Sequence, residues 1–120
     1  MRISIYILGL IILLSSCAKE DDGIKSNVGT LTYPIASFSY SGNENPAPVT
    51  VTFTNTSQYS DAYEWDFGDG SSPSAEFSPT HKYFNPTDLP KSFLVKLTAT
   101  DTYSGLSNTR SKSIQILPAN

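Results

Sequence analysis

The chain carries one cysteine, one histidine and one tryptophan among its 120 residues, and the first two scarcities already exclude chemistry. With Cys17 alone, no disulfide can close within the chain. With His81 alone, a nucleophile that needs an imidazole base has one place to find it, and His81 lies in a strand-like segment, Thr80-His81-Lys82-Tyr83, not in a loop. Positive charge is also scarce: eight Lys and Arg against eleven Asp and Glu give a net charge of -3. No basic stripe is present to neutralise phosphates, which excludes nucleic acid as a partner. The longest apolar run, Ile3 to Leu14, holds about twelve residues where a bilayer span needs about twenty. Helix-forming Ala, Glu, Lys and Leu are sparse after the N-terminus, and no window of ten residues repeats apolar positions at 3.6.

What that short apolar run does fit is a secretory signal, since it follows the charged Arg2 and ends in the small residues Ser15 and Ser16. Leu14-Ser15-Ser16-Cys17 resembles the lipobox of bacterial lipoproteins, in which the cysteine thiol receives a diacylglycerol and becomes the new N-terminus. That resemblance gives the only cysteine a role as lipid acceptor, and several acyl chains on one residue hold a protein to a leaflet without crossing it. The polar stretch Ala18-Lys19-Glu20-Asp21-Asp22 and onward to Thr30 has neither period, so it reads as a flexible tether. Ala18 is unlike the Asp that retains lipoproteins at the inner membrane, and the acidic run is similar to lipoprotein surface-export signals. The expected location is therefore the cell envelope, at the outer membrane and exposed on the surface. The 104 residues from Cys17 onward suffice for one domain and leave no room for a second.

From Tyr33 the pattern changes to short alternating segments separated by Gly, Pro, Asn and Asp, the signature of half-buried strands. Ala36, Phe38 and Tyr40 share one face; Val49, Val51 and Phe53 share another, with Thr50, Thr52 and Thr54 opposite. Tyr63, Trp65 and Phe67 point inward from a third strand while Glu64 and Asp66 point to water. Gly68-Asp69-Gly70 then turns the chain, because Gly accepts positive φ and Asp bonds to amides just ahead. Phe93, Val95, Leu97 and Ala99 mark the clearest strand, Ile114 and Ile116 close the set, and Trp65 is the expected centre of the core.

Trp65-Asp66-Phe67-Gly68-Asp69-Gly70 resembles the signature of PKD domains, the immunoglobulin-like modules named for polycystin. Flanking pieces match in order: Ala36-Ser37-Phe38, Val51 to Ser57, Pro79 to Tyr83 (with His81 and Tyr83), and Val95 to Asp101. The resemblance implies an all-β fold, an immunoglobulin-like β-sandwich of about seven strands. The organisation expected is a signal peptide over 1–16, a lipidated cysteine and acidic tether over 17–32, and the PKD domain over 33–117. Asn85 to Lys91, with two prolines, is longer than the Gly-containing turn common in the family.

For chemistry, the carboxylates Glu64, Asp66 and Asp69 raise a glycosidase pair, but two acids on one strand face and a third engaged in a turn do not face each other across a sugar. Calcium is the candidate metal: it takes oxygen ligands, an immunoglobulin-like sheet would put Asp66 and Asp101 near the ends of neighbouring strands, and the resemblance implies an Asn near the domain start, for which Asn43 and Asn45 are the candidates. Some PKD-like domains bind calcium in a similar arrangement. Tyr59, Phe77, Phe84 and Tyr103 fall in or beside loops, where rings stack on sugars or anchor a protein. The resemblance implies a non-enzymatic surface module that contacts an extracellular or envelope protein or a polysaccharide. The alternative is a structural or accessory subunit of a larger envelope complex with no soluble ligand of its own.

Overall fold

The structure, a computed structural model, describes residues 31–120. Cys17, the signal and all but the end of the tether lie outside the described residues. Tyr33–Asn120 forms one compact unit. It contains six strands: β1 (Phe38–Ser41), β2 (Val49–Asn55), β3 (Ala62–Asp66), β4 (Thr80–Tyr83), β5 (Lys91–Asp101) and β6 (Leu106–Ile116). All pairings between them are antiparallel, in two three-stranded sheets ordered β1-β2-β4 and β3-β5-β6.

Period-two burial explains how the sheets meet. On β2, Val49, Val51, Phe53 and Asn55 are buried and the intervening threonines are exposed; on β5, Phe93, Val95, Leu97 and Ala99 are buried. These inner faces join Phe38, Trp65, Phe67, Tyr83, Ile114 and Ile116 in one core, with Tyr40 and Tyr63 half-buried against it. Trp65 is fully buried and central: Phe38 lies edge-on at 5.1 Å, Phe53 at 5.4 Å and Phe67 at 6.5 Å between centroids. Its indole N–H donates to the Glu76 carbonyl at 2.9 Å, so the polar handle of the ring is satisfied.

The count is six strands where about seven are expected. Beyond the six, three isolated bridges remain among the described residues, Ile35–Gln58, Pro46–Leu117 and Trp65–Ser74; in the last, Ser74 exchanges two backbone hydrogen bonds with Trp65 at 2.8 and 3.0 Å. Pro73 and Pro79 flank this stretch, and a residue without an N–H cannot extend a ladder. The last strand, in contrast, starts eight residues before Ile114. Over Leu106–Ser113 no residue is fully buried, and the inward positions hold Asn108, Arg110 and Lys112. Lys112 Nζ sits 5.3 Å from the Phe38 ring, and Asn108 Oδ1 accepts from the Ala36 amide at 2.8 Å. β6 is an edge strand whose rim is closed by polar side chains.

The two ends of the sandwich differ. The start of β2, the end of β4 and the start of β5 meet at one end, where Ala47 donates to the Leu117 carbonyl. At the other end the chain enters from Tyr33, and Ile35 exchanges backbone bonds with Gln58 at 3.0 and 2.9 Å. The β5–β6 turn, Thr102–Gly105, lies at this entry end too: Asp61, just before β3, accepts from the Thr102 amide at 2.9 Å and hydroxyl at 2.7 Å.

Candidate functional site

The turn after β3 is fixed by its own side chains. Asp66 accepts from the Gly68 amide at 2.9 Å, and Asp69 accepts from the Ser71 amide at 3.1 Å and hydroxyl at 2.5 Å. Gly68 has φ +80, and a Cβ there would fall on the Leu94 carbonyl oxygen, so both its conformation and its space require glycine. From β4, His81 reaches across to this turn: Nε2 lies 2.7 Å from Asp69 Oδ2, and the ring stacks on Phe67 at 4.0 Å. Tyr83 donates to the Phe67 carbonyl at 2.9 Å. Burial, and then the charges of Asp69 and Asp66, hold the Tyr83 phenol far above its ordinary range. Burial pushes the Asp69 carboxyl up, yet hydrogen bonds from His81 and Ser71 outweigh it and the net shift is downward.

Ser71, His81 and Asp69 are thus adjacent, but they do not form a relay. Such a relay holds one imidazole nitrogen on the carboxylate and offers the other to the hydroxyl. Here Ser71 Oγ, at 3.4 Å, and Asp69 both face Nε2. His81 binds the turn to β4, so a residue expected to act only within its strand also holds a neighbouring loop.

Glu64 and Asp66 stand side by side on the outer face of β3, opposite Thr98 and Lys96 of β5. With Pro73 they line a shallow open groove. The two acids point the same way and do not face each other across a cleft.

The candidate calcium ligands are not brought together. Asp66 pairs with Lys96, whereas Asp101 ends β5 five residues further along, about 17 Å away at 3.4 Å per residue. Asp101 accepts from the Tyr103 amide at 3.1 Å and the Ser104 hydroxyl at 2.8 Å. Asn43 donates to the Gln115 carbonyl on β6, on the far edge of the sheet from Asp66, and Asn45 lies in the β1–β2 loop. Neighbouring strands can still carry residues at opposite ends, which is how the expected proximity of Asp66 and Asp101 fails. Among the described residues no three His, Cys, Asp or Glu side chains gather around one point.

The exposed rings divide between the ends. Tyr59 (56% exposed) and Tyr103 (97%) lie at the entry end, on loops joined through Asp61 and Thr102. Phe77 packs edge-on against Tyr63 at 5.2 Å, beside β3. Phe84 (62%) lies at the opposite end, over an open apolar hollow lined by Ala47, Pro48, Asn85, Pro86 and Ala119.

That hollow depends on a residue the sequence pattern does not single out. Asn85 is buried, and every bonding position of its amide is used: Nδ2 donates to the Leu89 and Ile116 carbonyls, both at 2.9 Å, and Oδ1 accepts from the Thr87 amide and hydroxyl. The Asn-Pro-Thr order is a turn signal in the sequence, but its link to β6 is not local.

Two facing three-stranded sheets around a tryptophan-centred core, closed by an Asp-Gly turn, define an immunoglobulin-like β-sandwich. The chain belongs to the PKD domain family, whose model matches residues 36–113. The match makes the domain a non-catalytic, immunoglobulin-like module. The chain is 27% identical to the PKD1 domain of Vibrio anguillarum Epp, with a TM-score of 0.59 over 74% of this chain and 99% of that one. It is 30% identical, with a TM-score of 0.62, to a structure reported as the basis for the promiscuous specificity of carbohydrate-binding modules from the β-sandwich superfamily, over 74% of this chain and 36% of that one. A stretch of 56 residues, 47% of this chain, is 52% identical to collagenase ColA of Clostridium perfringens and spans 4% of that enzyme's length.

Proposed function

We propose that this chain is a binding module without chemistry of its own, held to the cell envelope by a lipid on Cys17 and displayed to hold a polysaccharide, with a protein surface as the second ligand class. The observation that carries the contact is the hollow beneath Phe84. It is preformed, because Asn85 locks the 85–91 loop to β6, and it presents an exposed ring beside a wall with no charged group. Flat rings beside shallow apolar surface suit the faces of sugars, and a preorganised loop loses little entropy on binding. The likeness to a structure of carbohydrate-binding modules supports the same reading.

The test is to produce residues 23–120 without lipid and screen them against a panel of glycans and matrix proteins. Binding that Phe84→Ala abolishes, with an unchanged melting temperature, is the expected result. Capture of a single envelope protein, with no glycan or matrix ligand, would replace this reading with that of an accessory subunit.

A further inference from the structure

The end of the sandwich where the chain enters presents a cluster that ligand binding at Phe84 leaves unused. Tyr33, Ile35, Tyr59 and Tyr103 are all exposed there, at 60%, 47%, 56% and 97%. They come from three separate segments, tied to one another by the Ile35–Gln58 backbone pair and the Asp61–Thr102 bonds. Tyr59 is the only non-glycine residue with positive φ among the described residues, at 56°. A bulky side chain in that region is uncommon and costs backbone energy.

We infer that this end is a membrane-docking face, seated on the phospholipid interface to which the chain is anchored. The inference rests on the lipid anchor at Cys17 proposed above. Three observations select a bilayer as the occupant. Residues 17–32 separate Cys17 from this face, so a lipid on Cys17 keeps it within at most about 55 Å of the membrane, and the entry end is the one the tether leads to. Tyrosine is the side chain suited to the headgroup region, with an apolar ring and a polar tip that stays wet. The carboxylates at this end have both oxygens bonded by donors of the loops there, Asp61 across to Thr102 of the β5–β6 turn and Asp101 within that turn to Tyr103 and Ser104. Because the tether makes the second contact intramolecular, even weak insertion of these rings is well populated. The domain would then stand on the membrane with Phe84 directed away from it.

The experiment uses the single cysteine. The chain from Cys17 onward, which contains the whole compact unit, is coupled through its thiol to a maleimide lipid in vesicles of phosphatidylethanolamine and phosphatidylglycerol. Attachment is then enforced whether or not cells acylate Cys17. Tyr103→Trp and Phe84→Trp variants are compared with brominated lipids as quenchers, the buried Trp65 giving a common background. The Tyr103→Trp signal should be quenched about twofold more than that of Phe84→Trp, and Tyr33→Ser with Tyr59→Ser should abolish the difference. Equal quenching at both ends, or none at either, overturns the docking face, as does a Tyr103→Trp signal that responds to soluble polysaccharide and not to lipid. Fatty-acid labelling of Cys17 in cells is a separate readout: its absence removes the anchor reading while the vesicle result stands.

Discussion

His81 Nε2 lies 2.7 Å from Asp69 Oδ2, so a side chain of the edge strand β4 is bonded to the turn that carries the family signature. Both side chains are mostly covered, at 17% and 18% exposed, and the imidazole is held from behind by Phe67. This contact makes the turn part of the core's outer wall.

Asp69 gives the fold an acid limit. Its carboxyl titrates below the ordinary value of 3.8, as does that of Asp61 through the Thr102 amide and hydroxyl. A depressed carboxyl contributes stability that is fully present above the unfolded value and is lost as pH falls through the folded one. Thermal stability should therefore be insensitive to these groups above about pH 5 and should fall below pH 4. In His81→Leu the Asp69 carboxyl carbon should titrate at higher pH, read by NMR, and the acid limb of the melting curve should move up with it. An unchanged Asp69 titration would show that the pair contributes nothing.

Gly68 and Gly70 form an internal comparison, since both have positive φ but only Gly68 is crowded. Gly70→Ala should cost about 1 kcal/mol, the strain of the left-handed region alone. Gly68→Ala adds a collision with the Leu94 backbone and should cost about 3 kcal/mol. Urea denaturation of the two variants measures the gap directly.

Asn85→Ala strips the Ile116 carbonyl of its side-chain donor, leaves the Leu89 carbonyl to the Thr87 hydroxyl alone, and frees the loop under Phe84. A loss of about 2 kcal/mol is expected, since the buried Ile116 carbonyl loses this donor. Amide exchange over 85–91 should rise in the same variant. If exchange there stays slow, the loop is held by something other than this side chain.

Trp65→Phe keeps an aromatic ring in the core but removes the donor to Glu76. Stability should fall by about 2–4 kcal/mol from the smaller ring and the orphaned carbonyl together, measured by thermal unfolding.

The sandwich was legible because its inner strands obey strict alternation: on β2 and β5 every predicted inward residue is buried. Trp65 at the centre followed from the same period. Two features were not legible, for opposite reasons. The first half of β6 has no apolar face to announce it, since it is held by its ladder to β5 and by contacts to Ala36 and Phe38. The single-residue Trp65–Ser74 bridge does not lengthen into a strand, because the stretch is bounded by Pro73 and Pro79, which lack backbone donors, and a reading by side-chain pattern alone does not weigh this. At the candidate site, exposure of Tyr59, Phe77, Phe84 and Tyr103 followed from their loops, but their division between two ends depends on register, which links residues forty positions apart. The same holds for Asp66 and Asp101, whose separation is a matter of which end of β5 each meets.

The polar rim of β6 has a consequence for copies of the domain at high concentration. An edge strand invites the edge of an identical neighbour, and growth by such pairing ends in fibres; Asn43 and Asn85 occupy carbonyls at the end of β6, but its first part is not so covered. A second β6 laid along this one would trap Arg110 and Lys112 of each copy against those of the other, like charge on like, away from water. The same two side chains that leave the last strand without a hydrophobic signature thus oppose edge-to-edge pairing of crowded copies.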